Sequence, residues 1–141
     1  MKIYAFIFAR GGSKGLPNKN IKCLGNVPLI GHSINIANKS KYIQDVYVST
    51  DSQIIKDIAL KFGAKVPFLR PKELATDTSS EKDSWIHMIN NIDNFDIFIS
   101  LPTVSPLRTI KDVDSCIEKF INKKPHNTPD YDMITIDNEG Y

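Results

Sequence analysis

The chain has 141 residues, 41% of them hydrophobic and 24% charged, and a formal net charge of +2. Those values fit one globular domain spanning residues 1–141 with an ordinary core. They exclude a surface spread for nucleic acid or membrane, because so small a net charge confines any basic patch to one place. Cys23 and Cys116 are the only cysteines and stand far apart, which supports neither a disulfide framework nor a metal cluster and predicts buried thiols. The apolar run before Arg10 is too short for the core of a signal peptide, and no run approaches bilayer length, so the sequence reads as cytoplasmic.

Ile3 to Ala9 is β-branched and aromatic and reads as a buried strand. A glycine-rich loop follows, then Ile21 to Leu24 and the turn signal Gly25-Asn26. Pro28 suits the first turn of a helix over Pro28 to Asn38, with Leu29, Ile30, Ser33, Ile34 and Ala37 on its buried stripe. His32 lies off that stripe and reads as a surface or helix-packing residue. Asp45 to Ser49 is a second strand. Thr50-Asp51-Ser52 supplies the cap of a helix carrying Ile54, Ile55, Ile58, Ala59 and Phe62, closed by Gly63. Asp51 thus has two open readings, a helix cap or a site residue. Ala64 to Leu69 reads as a short third strand that delivers Arg70-Pro71.

Trp85, Met88, Ile89 and Ile92 set a helix over Glu81 to Asn91 with Ser79 or Ser80 as its cap, and His87 reads as a packed histidine with one hydrogen bond. Asp96 to Leu101 is the next strand. Thr109 caps a helix over Ile110 to Asn122 whose buried face is Val113, Cys116, Ile117, Phe120 and Ile121. A polar, proline-punctuated loop then leads to a fifth strand, Tyr131 to Ile136. Strands alternating with helices predict a three-layer α/β/α sandwich on a mostly parallel sheet, Rossmann-like in kind.

The chemistry concentrates in the loop after the first strand. Gly11, Gly12 and Gly15 let the backbone approach a ligand, and Arg10, Lys14 and Lys19 add cations with no acidic residue among them. Open α/β sheets place their ligands at this edge. A P-loop would need a Gly-Lys pair before Ser or Thr, and a dinucleotide fingerprint would need glycines at i, i+2 and i+5; the loop has neither. Its cations are spread along the chain and one lies beyond Pro17, a layout that wraps a triphosphate instead of pinning it to one helix end.

The run Ala9-Arg10-Gly11-Gly12-Ser13-Lys14-Gly15-Leu16-Pro17-Asn18-Lys19-Asn20 resembles the signature of the acylneuraminate cytidylyltransferases, also called CMP-sialic acid synthetases, which include the legionaminate and pseudaminate enzymes. Two further segments are similar to that family: Arg70-Pro71-Lys72-Glu73-Leu74-Ala75-Thr76-Asp77-Thr78 and Ser105-Pro106-Leu107-Arg108-Thr109. The resemblance implies a nucleotide-diphospho-sugar transferase fold and covers nearly the whole chain, but only the nucleotide-binding part of the family. It assigns catalysis to Arg10, Lys14 and Lys19, and substrate binding to Ala9, Gly11, Gly12, Ser13, Asn20, Arg70, Thr78 and Ser80. Carry-over stops at Ser80, because Glu81-Lys82-Asp83 stands where the family commonly keeps another small residue. Many relatives have a glutamine associated with the acceptor sugar where this chain has Pro102.

The implied reaction joins CTP to the anomeric hydroxyl of a nine-carbon 2-keto acid sugar and releases pyrophosphate, with Mg²⁺ bridging the phosphates. Arg108 reads as structural. The metal ligands stay unassigned: Asp51 and Asp77 are the acidic candidates, and the Asp130 and Asp132 pair reads as a solvated strand entry. In the family the metal carboxylates and a hairpin that covers a neighbouring subunit's site come from a later segment, so the chain reads as truncated at its C-terminus, a homodimer only if that segment is present. Two other readings are a nucleotidyltransferase for a different sugar and a truncated, catalytically incompetent nucleotide-binding module.

Overall fold

In the computed structural model of the chain, residues 1–12, 15–123 and 132–135 are described. The order is β1 (Ile3–Phe8), a 3-10 turn at Lys19–Ile21, a hairpin of β2 (Cys23–Leu24) and β3 (Val27–Pro28), α1 (Leu29–Lys39), β4 (Asp45–Ser49), α2 (Gln53–Lys61), a second 3-10 turn at Lys72–Leu74, α3 (Glu81–Asn91), β5 (Ile97–Ser100), α4 (Ile110–Lys123) and β6 (Asp132–Thr135). Four strands form one parallel sheet in the order β4-β1-β5-β6.

β1 is apolar on both faces, as a strand covered on both sides must be. Ile3, Ala5 and Ile7 belong to a core built with Ile34 of α1, Ala59 of α2 and Ile117 of α4. Tyr4 and Phe6 belong to a separate core with Phe98 of β5 and Met88 of α3. There Phe6 and Phe98 stack with ring centroids 4.3 Å apart, close enough to gain from offset stacking beyond their burial. One face is therefore aliphatic and carries α1, α2 and α4, and the other is aromatic and carries α3. This is the three-layer arrangement that the alternation of elements predicts.

The structure departs from the sequence reading in several places. Ala64 to Leu69 is not a strand: Lys65 alone bridges to Tyr47, and its N–H and C=O bond Val46 and Val48 of β4 at 2.8 and 3.0 Å. Pro67 then ends the ladder, having no N–H to give it. Pro28 precedes α1 instead of opening it, because it pairs with Cys23 in the hairpin. That hairpin stands off the main sheet and leaves Cys23 exposed, while Cys116 is half-buried against the aliphatic core. Ile54 is 63% exposed, off the buried face of α2. Of the expected fifth strand, Asp132–Thr135 pairs with β5, and residues 131 and 136 lie outside the described residues.

His32 ties α1 to the hairpin through Nε2 and the Leu24 carbonyl, 2.9 Å apart. His87 packs edge-on to Phe68 with centroids 5.1 Å apart, but its buried Nδ1 lacks the expected hydrogen bond among the described residues. Among the described residues, no helix is long and apolar enough to cross a membrane.

The chain leaves β1 for β4 on one side of it and returns to β5 on the other. Crossovers therefore diverge between β1 and β5, and at such a switch point the loops beyond the strand ends splay apart and leave a crevice.

Candidate functional site

A cleft of about 690 Å³ opens beyond the C-terminal ends of β1 and β5, within the size range of small-ligand sites. Phe8 and Ser100 close its floor; Arg10, Lys19 and Arg70 bring positive charge to its walls.

The loop after β1 is held from behind. Asp51 Oδ1 accepts the Gly11 N–H at 2.8 Å. A Cβ on Gly11 would lie 3.0 Å from Ser52 Cβ, a contact that would push the loop away from the start of α2 by a few tenths of an ångström. Ser52, not Asp51, caps α2, its Oγ accepting the Ile55 N–H at 3.3 Å. Of the two readings of Asp51, the cap is excluded. Gly15 takes a φ of 137°, and Asn18 turns the chain through the left-handed region at φ 55° and ψ 34°, which asparagine tolerates better than most residues. That turn brings Lys19 and Asn20 back onto the cleft.

Asn20 is buried, and its carboxamide joins two loops. Nδ2 donates to the Arg10 carbonyl at 3.2 Å, and Oδ1 accepts the Thr103 hydroxyl at 2.7 Å. Behind Thr103, Arg108 donates to the Pro102 carbonyl and, at 3.1 Å, to Ser33 Oγ. Burial pulls the Arg108 pKa down to about 10. Its predicted structural role holds: it anchors the loop after β5 to α1.

The opposite wall is built on Arg70. Its backbone N–H bonds the Thr50 carbonyl at 2.7 Å, which sets the residue at the end of β4. Arg70 is 7% exposed, and its guanidinium donates to Ser84 Oγ at 2.9 Å and to the carbonyls of Leu74 and Ser49, each at 3.3 Å. No carboxylate lies within ion-pair distance of it among the described residues. Burial lowers its pKa most, with Asp51 and Glu81 favouring the charge and Arg10 opposing it. A buried cation without an anion is costly unless a ligand supplies one. Arg10, by contrast, is paired with Asp77 across the cleft at 2.6 Å.

Of the residues expected at the site, Arg10, Lys19, Asn20, Arg70 and Ser80 are brought together around the cleft. Ala9 is buried in the core beneath it, its N–H on the Ser49 carbonyl at 3.0 Å. Gly11 has its N–H committed to Asp51, and Gly12 lies exposed outside the cleft lining. Thr78 also stands outside that lining, beside Thr76, with hydroxyls 3.3 Å apart. Ser13 and Lys14 lie outside the described residues. Sequence reasoning missed Thr103, Ser84 and Trp85. The first two show only as ordinary polar residues in a loop and on a helix, and Trp85 fits a core stripe equally well.

The described residues form no all-protein cage for a cation such as Mg²⁺. No group of three carboxylate, histidine or thiol residues among them could hold a cation. Asp51 is bonded to the loop backbone and Asp77 to Arg10.

A parallel, doubly covered sheet with a cation-lined cleft at its switch point defines a Rossmann-like α/β domain with a site for an anionic ligand. The chain belongs to the cytidylyltransferase family, whose model matches residues 4–139. It is 40% identical over 122 residues to the CMP-N,N'-diacetyllegionaminic acid synthase of Legionella pneumophila, covering 84% of this chain and 53% of that protein. With the N-acylneuraminate cytidylyltransferase of Streptococcus agalactiae serotype V it shares 32% identity over 151 residues, covering 100% of this chain and 36% of that protein. The chain therefore spans about half or less of these relatives' length. Among solved structures, CMP:2-keto-3-deoxy-manno-octonic acid synthetase, complexed with CTP, superposes with a TM-score of 0.76 at 24% identity, over 87% of this chain and 48% of that one. A cytidylyltransferase from Leptospira borgpetersenii superposes with a TM-score of 0.70 at 25% identity, over 88% and 50%.

Proposed function

We propose that this chain is the nucleotide-binding part of an enzyme that activates a sialic-acid-like, nine-carbon 2-keto acid sugar with CTP. The observation that carries the reading is the buried Arg70 guanidinium, which has no carboxylate partner among the described residues, in a cleft that also gathers Arg10 and Lys19. Such a cleft is complementary to a polyanion with a flat polar body. The names of the two relatives, both above 30% identity, support a cytidine nucleotide as the polyanion and a sialic-acid-like sugar as the acceptor.

In the proposed reaction the anomeric hydroxyl oxygen attacks the α-phosphorus of CTP in line. The new bond is oxygen to phosphorus, the bond to pyrophosphate breaks, and the hydroxyl proton is released. Arg10 and Lys19 offset the charge that develops on the phosphate and the leaving group, and Lys14 is assigned the same role. Arg70 and Ser80 help hold the nucleotide, Arg70 by offering its buried charge to a phosphate. Mg²⁺ belongs to the proposal as a companion of the triphosphate, with no ligand assigned among the described residues.

Calorimetry with CTP, UTP and ATP, with and without Mg²⁺, tests the reading on this chain. CTP should bind in preference to the other two, and Lys19→Ala should weaken it by about 10- to 100-fold, the loss of a charge-assisted hydrogen bond. Equal binding of all three nucleotides, or a Lys19→Ala variant that binds as tightly as the parent, would overturn it.

A further inference from the structure

We infer that Thr103 is a positioning residue whose hydroxyl locks the Asn20 carboxamide so that an N–H, not a C=O, faces the cleft. The inference rests on the proposed nucleotide site and adds to it a residue from the loop after β5.

A carboxamide carries two donor hydrogens and one acceptor oxygen. The Arg10 carbonyl can only accept, so the Asn20 atom facing it at 3.2 Å is the nitrogen. That leaves Oδ1 on the other side, where the Thr103 hydroxyl donates to it at 2.7 Å. Both residues are buried, at 6% and 5% exposure, so water cannot replace a lost partner cheaply. With Oδ1 satisfied in the wall, no other described group takes the second Nδ2 hydrogen, and Asn20 and Thr103 both line the cleft. What Asn20 can offer a ligand is then a donor, the group that suits phosphate or hydroxyl oxygens.

Without the Thr103 hydroxyl, Oδ1 becomes a buried acceptor with no donor. The least costly remedy is rotation of the carboxamide towards the open cleft, which breaks the bond to the Arg10 carbonyl and turns a C=O towards the nucleotide. The same bond is also a strut. It ties the loop after β1 to the loop after β5 across the switch point, so its loss loosens the wall on which Arg10 and Lys19 sit.

Thr103→Val keeps the shape and removes the donor; Thr103→Ser keeps the donor. Calorimetry should show Thr103→Val weakening CTP binding by about tenfold. Thr103→Ser should stay within about twofold of the parent, and Thr103→Val should add nothing in an Asn20→Ala background. Unchanged binding by Thr103→Val overturns the inference, and so does the same loss in the Asn20→Ala background, since Thr103 would then act by another route. Failure of the parent chain to bind CTP would instead overturn the nucleotide reading. In that case the Asn20 side-chain amide signals in a nitrogen-15 NMR spectrum decide: slowed hydrogen exchange that Thr103→Val abolishes supports the lock, and exchange unaffected by the substitution overturns it.

Discussion

Arg10 and Asp77 meet across the mouth of the cleft at 2.6 Å, with side chains 28% and 54% exposed. A pair this open to water contributes at most about 1 kcal/mol, because solvent screens it and two side chains lose freedom to hold it. A triphosphate presents several charges to the same guanidinium, so the carboxylate competes with the ligand and must yield to it. Asp77→Asn should therefore bind CTP more tightly than the parent, by up to about fivefold at low salt, and the advantage should shrink as added salt screens the charge. Weaker binding by Asp77→Asn would sink this account and make Asp77 a group that the nucleotide or its cation uses directly. The cations themselves were legible in the sequence, since Arg10 and Lys19 stand in a glycine-rich loop after a strand. Asp51 was not, because its partner Gly11 lies 40 positions away and its neighbours spell a helix cap.

Local signals decide where α4 begins. Thr109 Oγ1 accepts the Asp112 N–H at 3.1 Å while Asp112 Oδ2 accepts the Thr109 N–H at 2.9 Å, a reciprocal cap that satisfies two backbone donors at once. The Thr109 backbone N–H, and after it the Thr109 side chain, hold the Asp112 carboxyl below the usual carboxylate range. A depressed folded-state pKa means that the folded chain binds this proton less readily than the unfolded chain. The contribution to stability is complete above the unfolded pKa and is lost as pH falls through the folded one. Asp112→Asn should thus be less stable than the parent near neutral pH, with the gap closing at acid pH. Urea midpoints for both chains across that range would show it, and a gap that stays constant with pH would refute it. A cap of this kind can be read from four consecutive residues, as Thr109 was. The segment at 64–69 could not be read so simply: its apolar residues fit a strand, but Pro67 limits it to one bridge on the edge of β4. Its last residue, Arg70, still reaches the cleft because its own N–H bonds the end of β4.

The order β4-β1-β5-β6 puts neighbours in space that are far apart in the chain, Ile3 beside Ile97 for example. Alternation of strands and helices shows that a layered sheet forms, but not which strand lies beside which, because any apolar parallel strand satisfies the same pattern. The switch point, and with it the pairing of Asn20 with Thr103, becomes visible only once that order is known. It also gives the molecule a built-in reporter. Trp85 is the only tryptophan, lines the cleft, and packs against Phe98 and Phe8 with ring centroids 6.3 and 6.4 Å away. It therefore senses the ligand and the aromatic core together. CTP should change Trp85 fluorescence with the same affinity that calorimetry reports. In urea, fluorescence should report the aromatic face and circular dichroism the helices of both faces; their midpoints should coincide if one sheet joins the two cores into a single cooperative unit. CTP at a hundred times its dissociation constant should then raise the unfolding free energy by about 2.7 kcal/mol in both signals. A nucleotide that stabilises the fold while leaving Trp85 fluorescence unchanged would place its site away from the β1 and β5 strand ends, and separate midpoints would mean that the aromatic and aliphatic layers unfold independently.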